Sequence, residues 1–257
     1  WNVALPGLSP SEAVDAVIIE KDFWVCWLLG MLFSQPTLAP HLVFKGGTSL
    51  SKVFSAIDRF SEDVDLSVSP AFVGADAQAF DTLTSRTKRD AATAEMQRLC
   101  GVKTQDTIAP VLAAAIRTAL GVPGEGRSWL SYEVDTQAGS PILSFNYPAS
   151  QTTGFKYVRR DVKLELGSLT DQQPVGQHAG RPWVAEEFPA VFADWRCEVV
   201  ALALPRSFWE KATILHAEYH RPEDQPTPAR YARHYSDLAR LLEHPNAAVF
   251  MADQALC

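Results

Sequence analysis

Apolar and polar positions repeat with two different periods along this chain, and the changes of period predict both helices and strands. A first helix is expected to begin at Ser9-Pro10-Ser11-Glu12, which has the composition of a capping box, and to end before Pro36. Further helices are predicted at 48–58, over most of 76–121 with a break near Gly101, at 207–219 and at 228–243. Strand-like runs are predicted at 42–44, 63–69, 129–135, 141–147 and 157–166, with a glycine-, proline- and glutamine-rich loop around 171–182 and an apolar run at 199–204.

The order of these elements predicts an α+β fold with a mixed sheet. An N-terminal lobe, residues 1–170, would carry most of the sheet, and residues 171–257 would form a helix-rich C-terminal lobe. The cleft between two such lobes is the natural place for a ligand.

Composition narrows the class of protein. The chain has 257 residues, of which 47% are hydrophobic and 21% charged, as expected of a globular protein with a large core. The cysteines have no paired spacing and indicate a reducing cytoplasm, and no apolar run reaches the roughly 18 residues that a membrane span needs. The net charge of −7 argues against a general preference for nucleic acid, although three local basic clusters would permit binding: Arg86, Lys88 and Arg89; Arg159, Arg160 and Lys163; Arg230, Arg233 and Arg240.

The candidate chemistry is concentrated between residues 43 and 68. Alternation places Asp63 and Asp65 on one face of a predicted strand, whose other face is apolar. Two adjacent carboxylates on a half-buried strand repel each other, and a hard divalent cation such as Mg²⁺, or alternatively Mn²⁺, relieves that repulsion. The pair Gly46-Gly47 stands ahead of a predicted helix, where backbone N–H groups can approach a phosphate. Together these features indicate a nucleotidyl transfer site; an exposed acidic strand beside a glycine hairpin would explain neither the glycines nor the paired acids.

These motifs resemble a known superfamily. A glycine turn followed by an Asp-x-Asp strand is similar to the signature of the DNA polymerase β-like nucleotidyltransferases. More narrowly, residues 44–50 (Phe-Lys-Gly-Gly-Thr-Ser-Leu) and 59–66 (Arg-Phe-Ser-Glu-Asp-Val-Asp-Leu) resemble the AbiEii/AbiGii nucleotidyltransferase toxins. The resemblance implies a polymerase β-like fold, with residues 1–170 as the catalytic lobe, and a metal-dependent nucleotidyltransferase activity.

A third acidic residue is expected on a neighbouring strand. In the segment 159–167, Asp161, Lys163 and Glu165 share one face. Alternation alone is equally compatible with an edge strand whose polar face is solvated. The resemblance favours Glu165 as the third metal ligand, with Asp161 as the fallback, and Lys163 as a phosphate contact or a counter-charge.

Two motifs of the C-terminal lobe also resemble the family. The segment 207–211 is similar to its Glu-Lys element and the segment 233–238 to its Arg-Asp-x-x-Asp-Leu element, except that His234 stands where the family more often has aspartate. Lys211 and Asp237 are the predicted site residues, and Glu210 and Arg233 are secondary candidates. Two structural alternatives remain open: Ser207 and Glu210 have the spacing of a capping box, and Arg233 and Asp237 that of an ion pair along a helix.

The resemblance implies a complete reaction. Two Mg²⁺ ions would be held by Asp63, Asp65 and Glu165, and the NTP triphosphate would lie against the Gly46-Gly47-Thr48 turn. In-line attack at the α-phosphate would then transfer a nucleoside monophosphate and release pyrophosphate. The cations expected to neutralise the triphosphate are Lys45, Lys52, Arg59 and Lys163.

The biological role of the protein is likewise implied by the resemblance alone. Such proteins are cytoplasmic toxins of toxin–antitoxin and phage-abortive systems, encoded beside an antitoxin, and some relatives add nucleotides to tRNA. The alternatives are a nucleotidyltransferase that modifies a protein or a small molecule, and a nucleotide-binding sensor without turnover. His216 and His220 have a zinc-binding spacing, but the sequence offers no third ligand for them.

Overall fold

The computed structural model describes residues 16–76, 82–136, 138–150, 159–193, 195–222, 224–227, 231–253 and 256. The α-helices are α1 (Ala16–Phe33), α2 (Gly46–Lys52), α3 (Pro70–Val73), α4 (Arg86–Lys103), α5 (Ala109–Leu120), α6 (Trp183–Glu187), α7 (Pro189–Phe192), α8 (Leu204–Tyr219), α9 (Ala232–Glu243) and α10 (Ala247–Ala252). The strands are β1 (Leu42–Lys45), β2 (Val64–Val68), β3 (Leu130–Val134), β4 (Pro141–Phe145), β5 (Val162–Gly167), β6 (Val175–Gly180) and β7 (Cys197–Leu202).

The described strands form one mixed sheet with the order β3-β4-β5-β2-β1-β7-β6. The central strand β2 pairs antiparallel with β1 and parallel with β5, and β1 in turn pairs parallel with β7. The predicted α+β class with a mixed sheet is therefore confirmed.

Alternation in the central strands divides the sheet into a core face and a site face. Val64, Leu66 and Val68 of β2 are buried, together with Leu164 and Leu166 of β5. They pack in one large cluster with the apolar residues of α1, whose length and hydrophobicity cover this side of the sheet. The residues between them, including Asp65 and Glu165, consequently face the other way.

The C-terminal helices pack on the opposite side. A second, smaller cluster joins Leu50 and Ile57 to Leu204, Phe208 and Leu241. This cluster brings α8 and α9 against α2 and the loop that precedes β2. Because β6 and β7 extend the sheet beyond residue 170, the sheet itself does not end at the predicted lobe boundary, and the division into 1–170 and 171–257 stays a prediction.

Several predicted elements differ from the structure. The helix predicted at 48–58 is α2, which ends at Lys52 because Ser55 adopts a positive φ of 48° and the Ala56 N–H bonds back to the Leu50 carbonyl. The break predicted near Gly101 is wrong: α4 runs through it, and the irregularity is a π-helical turn at Thr104–Ile108.

Strand β6 lies where a loop was predicted. Of the strand predicted at 157–166, residues 157 and 158 lie outside the described residues, and strand β5 begins at Val162 among those that are described. The predicted helix start at residues 9–12, and residues 228–230 of the last predicted helix, lie outside the described residues. No helix among the described residues is long and apolar enough to cross a membrane.

Candidate active site

The sheet brings the predicted acidic residues to one pocket. Asp65 lies beside Lys45 in the β1–β2 register and beside Glu165 in the β2–β5 register. Asp63 directly precedes β2. The pocket lies between the site face of the sheet and helices α8 and α9, and its lining residues are Lys45, Gly46, Gly47, Arg59, Ser61, Asp63, Asp65, Glu165, Glu210, Lys211, Ile214, Arg233 and His234.

Asp65 is the electrostatic centre of this pocket. Burial and the negative charges of Glu165 and Asp63 raise its pKa from 3.8 to about 6, although Lys45 and Lys211 oppose the shift. A carboxylate under this much repulsion is stabilised by any cation that enters the pocket.

The donor set fits a hard divalent cation. Asp63, Asp65 and Glu165 offer carboxylate oxygens, the ligands that Mg²⁺ and Mn²⁺ prefer. They are not yet gathered around a metal position: no group of three His, Cys, Asp or Glu side chains in the described part of the chain is arranged to hold an ion. Glu165 is instead paired with Lys163, whose Nζ lies 2.7 Å from its Oε1. The fallback ligand Asp161 is buried and paired with Arg159.

The two glycines of the turn are required by their neighbours in the pocket. Gly46 has a φ of +76°, and a Cβ at this position would overlap the Asp65 carboxylate. A Cβ on Gly47 would lie 2.7 Å from Nη2 of Arg59. The turn therefore lets a carboxylate and a guanidinium approach the backbone closely, and it leaves both glycines on the pocket surface.

Thr48 and Lys52 are not brought to the pocket. The Thr48 hydroxyl is fully buried and bonds to the Asp63 carbonyl and the Ser61 hydroxyl, so it supports the start of β2. Lys52 points the other way, where its buried ammonium pairs with Asp22 and lies 4.1 Å from the centre of the Trp183 ring.

The structure contradicts the alternative that Ser207 and Glu210 form a capping box. Helix α8 begins at Leu204, after Ala203, so Ser207 already lies within it. The buried Ser207 hydroxyl has no hydrogen-bond partner among the described residues. Glu210 instead forms an ion pair with Lys45 at 3.2 Å, which joins α8 to the end of β1.

Asp237 connects the C-terminal helices to the glycine turn. It is fully buried and accepts two hydrogen bonds from Arg59, at 2.7 and 2.8 Å, and lies 3.1 Å from the Lys211 ammonium. Burial raises the pKa of Asp237, but the bonds from Arg59 and the positive charge of Lys211 outweigh it and hold the pKa below 3.8. Asp237 therefore binds Arg59 and Lys211. Arg233, which the alternative interpretation paired with Asp237 along the helix, instead lies 4.0 Å from Asp63.

Sequence reasoning missed some of the residues that support the pocket. Lys21 of α1 is buried and binds Glu62 at 2.6 Å and the carbonyl of Arg159 at 2.9 Å, so it anchors the residue next to Asp63. Its position within a long apolar run was the available signal, because a lysine in a buried helix needs a partner. Ser61 and Ile214 also line the pocket; Ser61 lies within the motif at 59–66 but was not singled out, and Ile214 had no sequence signal.

Comparisons with known proteins identify the family of this chain. No curated protein matches the sequence. Among solved structures, MenT4, a nucleotidyltransferase toxin from Mycobacterium tuberculosis H37Rv, aligns with 77% of this chain and 51% of its own at 18% identity and a TM-score of 0.39, so this chain spans about half the length of that protein. Residues 27–256 match the family described as nucleotidyl transferase AbiEii toxin, type IV TA system. The chain therefore belongs to the AbiEii family of nucleotidyltransferase toxins of type IV toxin–antitoxin systems.

Proposed function

We propose that this toxin transfers a nucleoside monophosphate from an NTP to an RNA acceptor, most directly tRNA, and releases pyrophosphate. The observation that carries the proposal is the composition of one pocket, in which Asp63, Asp65 and Glu165 lie together on the sheet side and four cationic side chains lie around them. A fourth carboxylate, Glu210 of α8, is paired with one of these cations, Lys45. Carboxylates suit metal binding and the cations suit a triphosphate, so the pocket offers both halves of a nucleotidyl transfer site.

Asp63, Asp65 and Glu165 would hold the divalent metal, Mg²⁺ or Mn²⁺. When bound, it supplies charge neutralisation and lowers the pKa of the attacking hydroxyl, the chemistry of two-metal phosphoryl transfer sites. The raised pKa of Asp65 supports this assignment, because a site built around an unfavourable carboxylate gains most from a cation. Lys163 would balance the charge of Glu165 before the metal arrives.

Lys45, Arg59, Lys211 and Arg233 would bind the triphosphate. All four line the pocket, and Gly46 and Gly47 leave the backbone open beside them. An acceptor hydroxyl would attack the α-phosphorus and lose its proton, while the bond to the β-phosphate breaks and pyrophosphate leaves. The four cations would stabilise the charge that develops on the leaving group.

An RNA acceptor is what the family resemblance implies, and exposed arginines near the pocket support it over other acceptors. The Arg233 side chain is 41% exposed at the pocket wall. The Arg159 side chain is 68% exposed, and its backbone is tied through Lys21 to the loop that carries Glu62. Local positive charge of this kind can bind phosphate backbones despite the overall charge of −7. The acceptor would be met in the cytoplasm, and a co-encoded antitoxin would restrain the toxin there.

An acceptor-trapping assay tests the proposal. The purified chain is incubated with each α-labelled NTP, Mg²⁺ and separate pools of total RNA, protein and small metabolites. The proposal predicts label in RNA, concentrated in the tRNA fraction. Label in protein or in a small molecule would contradict the RNA acceptor, and NTP binding without label in any pool would indicate a sensor.

A further inference from the structure

His234 lies between the catalytic pocket and the lysine that the two C-terminal helices share. It projects from α9 into the pocket wall, and its Nδ1 lies 3.3 Å from Nζ of Lys211 on α8. The same ammonium lies 3.1 Å from Oδ2 of Asp237, and the Lys211 side chain is only 9% exposed. An ammonium has three protons to donate. With two directed at His234 and Asp237, the third is left for the pocket.

The surroundings of His234 keep its ring neutral. Burial, Lys211 and Arg233 lower its pKa from 6.5 to about 4, with Asp237 acting in the opposite direction and Arg59 in the same one. The ring of Tyr231 packs against it at 4.9 Å between centroids. A neutral ring that accepts a hydrogen bond at Nδ1 carries its proton on Nε2.

The side chain of Asp237, which contacts both Lys211 and Arg59, does not balance the two positive charges. Among the described residues, Asp237 is the one carboxylate that both Arg59 and Lys211 contact, so this group of three side chains carries a net charge of about +1 at neutral pH. Lys211 also acts across the pocket on the buried carboxyl of Asp65. A neutral hydrogen-bond acceptor beside Lys211 fixes the direction of the ammonium without removing that charge. A second carboxylate in the same place would remove it.

We propose that His234 is a positioning residue for phosphate binding: it accepts a hydrogen bond from Lys211, directs that ammonium into the pocket and leaves its positive charge free for the substrate. The inference rests on the proposed function in that the anion concerned is the triphosphate of the NTP. It assigns to His234 no contact with the reacting atoms.

Substitutions at position 234 separate the effect of a hydrogen-bond acceptor from the effect of its charge. In His234→Asn the amide oxygen is a δ atom, like Nδ1, and can accept the same bond. In His234→Gln the oxygen lies one atom further out, and His234→Ala has no acceptor. His234→Asp offers a δ oxygen that also carries negative charge. His220→Gln is the matched control, because His220 is exposed at the end of α8 and does not line the pocket.

Calorimetric binding of inorganic triphosphate with Mg²⁺ measures the effect without any transfer. We expect His234→Asn and His220→Gln to bind within about threefold of the wild type, and His234→Ala and His234→Gln to bind about tenfold more weakly, the usual effect of one lost charge-assisted hydrogen bond. His234→Asp should bind more weakly than His234→Asn. Equal binding by the asparagine, glutamine and alanine variants, or no binding by the wild type, would overturn the proposal.

Imidazole ¹⁵N NMR gives a second readout, whose main measurement is made on the wild type and does not depend on folding differences between variants. In the wild type His234 should show the Nε2–H tautomer from pH 5.5 to 8, and Lys211→Met should raise its pKa. A charged His234 ring at pH 6.5 would overturn the proposal. If the asparagine–glutamine contrast holds but no acceptor is ever labelled, the proposed transfer fails while this inference stands. If transfer occurs and the contrast is absent, the inference alone fails.

Discussion

Asp65 shows at the scale of one residue why the pocket is unfavourable without a cation. Its neighbours across the strands are Lys45 on one side and Glu165 on the other, and Asp63 lies two residues before it. Burial and the two like charges raise its pKa to about 6, and Lys45 compensates them only in part. The folded protein therefore prefers a protonated Asp65 over a range of pH in which the unfolded chain has already ionised it.

The first prediction follows from that preference. Between pH 3.8 and about 6 the folded state binds more protons than the unfolded state, so the free energy of unfolding decreases as pH rises through this interval. Asp65→Asn removes the penalty. Because Asp65 is partly solvated, we expect the variant to be more stable than the wild type by only about 1 kcal/mol at pH 8 and by nothing at pH 4.

Urea denaturation without divalent metal, at the two pH values, measures this difference. Added Mg²⁺ should stabilise the wild type more than the variant. A variant that is less stable than the wild type at pH 8 in the absence of metal would contradict this account of Asp65.

Gly47 determines how closely Arg59 can approach the glycine turn. A Cβ there would lie 2.7 Å from Nη2 of Arg59, so Gly47→Ala must displace the guanidinium and loosen its bonds to Asp237. We expect triphosphate binding to weaken about tenfold, as for the loss of one charge-assisted hydrogen bond, while the protein remains folded. Gly124→Ala is the control, since a Cβ at Gly124 meets no atom within 4 Å. Unchanged binding by Gly47→Ala would show that the Arg59 position does not matter.

At the scale of elements, α8 contributes to the pocket through its ion pairs rather than through its first turn. Ser207 lies inside the helix with an unpartnered buried hydroxyl, and Glu210 pairs with Lys45. We therefore predict that Ser207→Ala raises the free energy of unfolding by up to about 1 kcal/mol, because an unsatisfied buried polar group is removed and alanine is the better helix former. Thermal and chemical denaturation of Ser207→Ala and Glu210→Gln test this; a loss of about 1 kcal/mol in both would restore the capping interpretation.

Some helices and strands could be predicted from the sequence and others could not. The central strands were predictable because each has one apolar face, so Asp65 and Glu165 could be assigned to the other face before their register was known. Strand β6 was not, since it is an edge strand with two glycines and no apolar alternation. The π-helical turn at Thr104–Ile108 precedes Pro110, which has no N–H to continue the helical ladder.

Side-chain direction was the harder part of the site. Lys52 and Lys45 flank the same glycine turn, and their sequence context gave no reason to separate them. Lys45 ends a strand that faces the pocket, whereas Lys52 ends α2 on the side that packs against α1. Asp22 of α1 and Trp183 set the orientation of the Lys52 side chain. Both residues reach Lys52 only through tertiary packing.

At the scale of the whole molecule, the buried pair Lys52–Asp22 ties α2 to α1 behind the site. Lys52→Met would leave Asp22 buried without its counter-charge, so we expect the free energy of unfolding to fall by about 3 kcal/mol or more. The double variant Lys52→Met/Asp22→Asn should recover most of that loss, because asparagine can still accept the bond from the Trp183 N–H.

Triphosphate binding distinguishes this structural role from the nucleotide contact predicted for Lys52. Under conditions in which it is folded, the double variant should bind inorganic triphosphate like the wild type, whereas Lys45→Met should bind it about tenfold more weakly. A loss of binding in the double variant comparable to that of Lys45→Met would place Lys52 in the nucleotide site after all.

Label transfer most directly tests the central claim, that this pocket moves a nucleoside monophosphate. The wild type, Asp63→Asn, Asp65→Asn and the control His220→Gln are incubated with Mg²⁺, total RNA and NTPs labelled at either the α or the γ phosphate. The account predicts acceptor labelling from the α position only, γ label in released pyrophosphate, and a loss of at least about 100-fold in both aspartate variants. Acceptor labelling from the γ position, or undiminished transfer by folded Asp65→Asn, would contradict it.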